Sequence, residues 1–150
     1  MTKVHRIKVF KDEKDNFGDI ATATFDEGRK ISDEKRMEIA RQLNTGETVF
    51  VNDKKSRNIS IVHPQVEVDF AGVAALAAAW LFSELEGKNI DLMTSRGGEI
   101  IVSQDSDMTW VRASLSTMPP WNHVEMRSAK EVEDTKLADT SDWQHVVAWA

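Results

Sequence analysis

The segment Gly72–Glu86 constrains this chain more than any other. It reads Gly-Val-Ala-Ala-Leu-Ala-Ala-Ala-Trp-Leu-Phe-Ser-Glu-Leu-Glu. Alanine has the highest helix propensity, and the first eleven residues carry no charge on any face. A helix that is apolar all round is predicted to be buried. Its five Ala side chains let neighbouring strands approach its axis closely. Gly87 supplies the stop. A chain with such an element needs enough sheet to wrap it.

The flanking sequence offers that sheet. Residues 4–10 alternate, with His5, Ile7 and Val9 set against Val4, Arg6 and Lys8, which is the pattern of a half-buried strand. Residues 11–18 read as a charged loop, 21–25 as a second strand, and 26–30 as a turn around Gly28. Ser32 is placed to cap a helix with Asp33 and Glu34 in its first turn. Met37, Ala40 and Leu43 share one face of that helix, with Ile39 beside them, and the helix ends near 44–46. Residues 48–52 and 58–62 are β-rich runs around the polar stretch 53–56, a hairpin signal. His63-Pro64 ends the second run, and 66–70 is short and alternating. Residues 90–94, 98–103 and 110–115 read as three more strands. Residues 118–121 read as a linker. Ser128 and Glu131 form a capping box opening a helix to about Leu137. Residues 145–149 read as a strand that needs a neighbour in its own domain or on another chain.

These elements imply an α+β protein: a curved mixed sheet wrapped around the central Ala-rich helix at about 72–86. A single domain over 1–150 is expected, with a core at 1–118 and a tail at 119–150. Leu, Ile, Val and Phe make up 36 of 150 residues, above the roughly 20% typical of disordered chains. Net charge is −6, which argues against nucleic-acid binding because phosphate contacts need clustered Lys and Arg. Charge is uneven. Residues 1–60 hold 13 basic and 11 acidic side chains, and residues 61–150 hold 6 and 14. There is no Cys, which removes disulfides, thiolate nucleophiles and zinc ribbons. The longest apolar run, 70–82, is too short to span a bilayer. No apolar stretch follows the first residues, so no secretory signal is expected and the expected location is cytoplasmic. His5, His63, His123 and His145 are isolated in sequence and lack metal-ligand spacing. No Gly-x-Ser-x-Gly elbow or Gly-rich phosphate loop is present.

Four motifs agree in order and spacing with one family. They are Gly18-Asp19-Ile20; Asn44-Thr45-Gly46-Glu47-Thr48-Val49-Phe50; Pro64-Gln65-Val66-Glu67-Val68-Asp69-Phe70-Ala71-Gly72; and Thr94-Ser95-Arg96-Gly97-Gly98. Over most of residues 4–115 the chain resembles the N-terminal half of the phenazine-biosynthesis PhzF-like isomerases and epimerases, which have the diaminopimelate-epimerase fold. The family pattern is roughly Gly-Asn-Pro, Asn-x-Ser-Glu-Thr-x-Phe, Pro-x-x-Glu-x-x-Phe-x-Gly-His and Thr-x-x-Gly. Family members have two similar halves with the active site in the cleft between them. This chain is about half as long, and residues 142–150 look like the first strand of a second half.

The resemblance implies roles for particular residues. Glu47 aligns with the family's catalytic Glu, which moves a proton at carbon. A carboxylate suits that work when burial raises its pKa. Gly72, Val73 and Ala74 begin the central helix, whose free N–H groups suit a substrate carboxylate. Asn44 either holds the Glu47 loop or caps the preceding helix. Departures from the pattern are Val73 in place of His, Asp19-Ile20 in place of Asn-Pro, and Gly46 in place of Ser. Glu67 could orient the helix start, although an ion pair or a solvated position suits it and Asp69 better.

The function implied is cofactor-independent proton transfer at a carbon near a carboxylate of a small metabolite, by an isomerase subunit or half-enzyme. The alternative is a binding domain that kept the fold without the chemistry. The expected assembly is a homodimer, or a pair with a complementary second-half chain, with Trp121, Trp143 and Trp149 at an interface or in a core.

Overall fold

The structure, a computed structural model, describes residues 3–14, 16–106, 108–117, 122–135 and 146–149. Chain contacts divide it into two compact units, Met1–Thr117 and Met118–Ala150.

The first unit contains β1 (Val4–Lys11), β2 (Phe17–Phe25), α1 (Asp33–Leu43), β3 (Glu47–Asp53), β4 (Asn58–Val62), β5 (Glu67–Val68), α2 (Gly72–Glu86), β6 (Leu92–Ser95), β7 (Gly98–Gln104) and β8 (Thr109–Arg112), followed by a 3-10 turn at Leu115–Thr117. The strands form one mixed sheet in the order β1-β2-β3-β4-β6-β7-β8, with β5 also on β4. Both ends and the middle of this order touch α2: the helix packs on β1, β2, β3 and β8. The sheet therefore curls around the Ala-rich helix, which is the α+β arrangement expected.

Alternation explains the wrap. Ile7 and Val9, Ala21 and Ala23, Val49 and Val51, and Ile59 and Ile61 face Ala74, Ala75, Ala77, Ala78, Leu81 and Phe82 in one core. The small helix side chains let the strands close in, and each large one fully buried contributes about 1.5–3 kcal/mol. β3 is buried on both faces, because Phe50 packs with Ala40 and Val62 beneath α1. Such a strand reads as a near-continuous apolar run.

α2 matches its expected bounds, with Gly87 left-handed at its C-terminus (φ 64). It is not covered all round, however. Leu76 is half-buried and Trp80 is 46% exposed, because β1 and β8 are the two ends of the sheet and leave a groove between them. Ser32 caps α1 as expected, accepting from the Lys35 amide. The expected loop at 11–18 is shorter: β2 begins at Phe17, and Val9 and Lys11 pair with Asp19 and Phe17. A backbone ladder needs no apolar side chains, so the charged composition concealed it. Gly18 fits there because a Cβ would lie 3.3 Å from Phe10 Cβ. β8 stops at Arg112, and Leu115, placed by its sequence at a strand end, is 82% exposed in the 3-10 turn.

The second unit contains β9 (Asn122–Glu125), α3 (Ala129–Asp134) and β10 (Val146–Trp149). α3 opens on the Ser128 cap and is capped at Thr135, short of Leu137. β9 was not legible beforehand. It pairs in parallel with β10, so the strand at 146–149 finds its neighbour within this chain. The expected linker at 118–121, Trp121 and Trp143 lie outside the described residues, as does the side chain of Trp149. Among the described residues no helix is long and apolar enough to cross a membrane.

Candidate functional site

Register builds the site. Parallel pairing sets Ala21 of β2 beside Glu47 of β3, and antiparallel pairing sets Thr48 beside Val62. Glu47 is thus the first residue of β3 rather than a loop residue, and it shares the helix-facing side with Val49 and Val51. Hydroxyls hold its backbone: Thr45 Oγ1 donates to the Glu47 carbonyl (3.2 Å), and Thr45 and Thr48 both meet Thr22 Oγ1, at 3.0 and 3.1 Å.

From that position Glu47 reaches the start of α2. The Ala74 amide donates to Glu47 Oε2 at 2.6 Å. The helix N-cap, Ala71, offers no side-chain acceptor, so a carboxylate from another strand supplies what its sequence lacks. Anions are favoured there by both the free amides and the helix dipole. Two sequence candidates, Glu47 and the 72–74 segment, are therefore brought into contact.

The Ala74 amide is engaged by Glu47, and Gly72 and Val73 precede it in the first turn of α2. A Cβ at Gly72 or at Gly46 would meet no atom within 4 Å. Both glycines beside Glu47 thus face open space. Val73 is half-buried and packs on the core.

Glu47 is 19% exposed. Burial raises its pKa above the ordinary 4.5, opposed by the Ala74 amide and by His63 and reinforced by the negative charge of Asp19. His63 follows β4, with its Nε2 3.8 Å from Glu47 Oε1. The arrangement gives a carboxyl group whose proton affinity burial raises, the start of a helix beside it and an imidazole next to it.

A family model described as phenazine biosynthesis-like protein, PhzC-PhzF, matches residues 7–149. The chain belongs to the PhzC-PhzF family. Solved structures agree on the fold. A phenazine biosynthesis PhzC/PhzF protein from Clostridium difficile (strain 630) is 22% identical, with a TM-score of 0.60 over 97% of this chain and 66% of its own. A PhzF family protein from Enterococcus faecalis is 23% identical, with a TM-score of 0.55 over 73% and 43%. A predicted epimerase from Pseudomonas aeruginosa is 20% identical, with a TM-score of 0.58 over 74% and 42%. This PhzC-PhzF chain thus spans from 42% to 66% of the length of these relatives. Comparison with curated proteins finds no match.

The remaining candidates of this PhzC-PhzF chain separate from the Glu47 cluster. Asn44 is the left-handed C-cap of α1 (φ 50), its amide donating to Ala40 and Arg41 carbonyls, so a capping role accounts for it. Glu67 is held by Arg29 at 2.7 and 3.3 Å, and Asp69 by Arg96 at 2.6 Å. Asp19 lies on β2, near enough to act on Glu47 by charge. His63 was missed as an isolated histidine; the signal for it was the hairpin register. Among the described residues no group of three His, Asp or Glu side chains is arranged to hold a metal ion.

Proposed function

We propose that this PhzC-PhzF chain is an isomerase or epimerase subunit that moves a proton at a carbon beside a carboxylate of a small metabolite, without a cofactor, with Glu47 as the acid/base. The observation that carries this reading is the Glu47 carboxyl on the Ala74 amide, at 2.6 Å and largely withdrawn from water. Burial moves its proton affinity towards neutral pH, the direction in which a carboxylate becomes a better base. The Gly72 and Val73 amides would receive the substrate carboxylate. The negative charge that develops as the proton leaves carbon would then lie near the positive end of α2.

The test is solvent deuterium exchange into candidate carboxylate substrates, with Glu47→Gln as control. Gln keeps an acceptor for the Ala74 amide, so the helix start is preserved while the proton carrier is lost. Exchange that depends on Glu47 is expected. Exchange surviving the substitution would remove Glu47 from the reaction. A binding domain without chemistry is the second reading, favoured by Val73, an aliphatic side chain at the position where the family resemblance places a His.

The assembly proposed is a homodimer, or a pair with a complementary second-half chain. Its support is the greater length of the solved relatives. The pairing of β9 with β10 removes the unpartnered strand as an argument for it. Light scattering at micromolar concentration should give a mass near twice 16.9 kDa. A mass near 16.9 kDa would defeat self-pairing.

A further inference from the structure

The β3/β4 ladder assigns His63 a place that its sequence context does not reveal. Thr48 pairs with Val62, and one further step along the antiparallel ladder sets Glu47 beside His63. Alternation sends both towards α2, with Val49 and Ile61. His63 Nε2 is buried and has no hydrogen-bond partner among the described residues. Leaving a buried nitrogen unsatisfied costs on the order of 1–3 kcal/mol, and the surrounding groups are already engaged. From α1, Arg41 donates to the Pro64 carbonyl (2.7 Å). From β5, Glu67 is held by Arg29 (2.7 Å). From β2, Asp19 accepts from the Ile20 amide (2.7 Å). From α2, the Ala74 amide is on Glu47 Oε2. Glu47 Oε1, 3.8 Å away, is the acceptor that faces the ring.

We propose that His63 is the proton partner of Glu47, the group through which that carboxyl exchanges its proton with solvent. The proposal rests on the reading of Glu47 as an acid/base and deepens it. Glu47 is 19% exposed and His63 36%, so the imidazole is the wetter of the two and lies on the way out. When Glu47 takes a proton from a substrate C–H, the electron pair of that bond stays on the substrate as an enolate. The proton then passes to Nε2 of a neutral ring whose Nδ1 carries the hydrogen, leaving a carboxylate and an imidazolium. The imidazolium gives a proton to water, and the reverse sequence returns one to carbon. The separation exceeds a direct hydrogen bond, so transfer uses one bridging water or a sub-ångström approach. His63 acts through Glu47, so it is a positioning residue.

The test is an NMR titration of the whole chain, reading the His63 ring nitrogens in the wild type and in Glu47→Gln, and the Glu47 carboxyl carbon in the wild type and in His63→Gln. Loss of the neighbouring carboxylate should lower the His63 midpoint relative to the wild type. Coupling is mutual, so His63→Gln should raise the Glu47 midpoint, since the His63 charge holds it down. Circular dichroism checks that each variant is folded, and either folded variant decides the question. An unmoved midpoint overturns the proposal. Substrate deuterium exchange separates the two readings. Exchange lost in Glu47→Gln but unchanged in rate and pH profile in His63→Gln overturns the role of His63 and leaves that of Glu47. Coupled midpoints with exchange that ignores Glu47 leave the proton pair and remove the enzyme reading.

Discussion

Asp26 and Glu47 are both acidic side chains withdrawn from water, one just after β2 and one at the start of β3, yet they end in opposite states. Asp26 is 3% exposed and is surrounded by donors: Arg36 Nε at 3.1 Å and Nη2 closer still, and the Lys30 and Ile31 amides at 2.9 and 3.1 Å. Burial pushes its pKa up, but the Arg36 hydrogen bonds, the two amides and the Arg36 charge outweigh burial and hold it below the usual 3.8. Arg36 continues the network to Asn52 (2.8 Å), which reaches Ser60 (3.1 Å). Glu47 has one amide donor, and burial prevails. Burial alone therefore does not decide what a carboxyl group does; the number of donors it meets does. The saturated carboxylate is held as an anion by its donors, and the unsaturated one keeps a raised proton affinity.

Breaking the saturated side should have the largest effect. Arg36→Met leaves a buried carboxylate without its partner, and a loss of about 3–5 kcal/mol is expected in urea unfolding. A loss below about 1 kcal/mol would deny the network its structural role. Asn44 tests whether a residue beside the Glu47 segment serves structure or substrate. Asn44→Ala should cost about 1–2 kcal/mol, because Ala resists the left-handed conformation, while Asn44→Gly should change stability little. Substrate exchange should survive Asn44→Gly.

The two carboxyls should also pull stability in opposite directions with pH. Asp26 binds fewer protons folded than unfolded, so its contribution is present above about pH 4 and fades as pH falls through its lowered folded pKa. Glu47 has the raised value. Its contribution is present below the ordinary 4.5 and fades as pH rises through its folded pKa. Glu47→Gln should therefore be more stable than the wild type at pH 7, with the gain gone below pH 4. Denaturant midpoints at the two pH values check this, and destabilisation at pH 7 would make Glu47 chiefly a helix cap. The smallest effect is expected from Asp19→Asn. Removing that negative neighbour should lower the Glu47 midpoint in a carboxyl NMR titration.

Local signals made much of this legible. The composition of α2 marked its bounds and its central place, the Ser32 cap opened α1, and the polar stretch at 53–56 marked the β3/β4 hairpin. What failed depended on pairing. The start of β2 at Phe17 is a backbone ladder with exposed side chains, and β9 shows itself only beside β10. Arg36 is an ordinary helical charge in sequence and a fully buried one in the fold, because its partners come from the turn after β2 and from β3. Trp80 belongs to an apolar helix yet stays open at the seam between β1 and β8. The site divides in the same way. Glu47 and the 72–74 segment came from resemblance, but their contact, and the placing of His63 beside them, is a product of register.

The most direct measurement is a carbon-13 NMR titration of the Glu47 carboxyl in the unmodified chain. A midpoint above the ordinary 4.5 is the expected result and confirms a buried carboxyl poised to exchange its proton. A midpoint at or below that value would make Glu47 a second Asp26, an anion fixed on the start of α2, and would contradict its role as the acid/base.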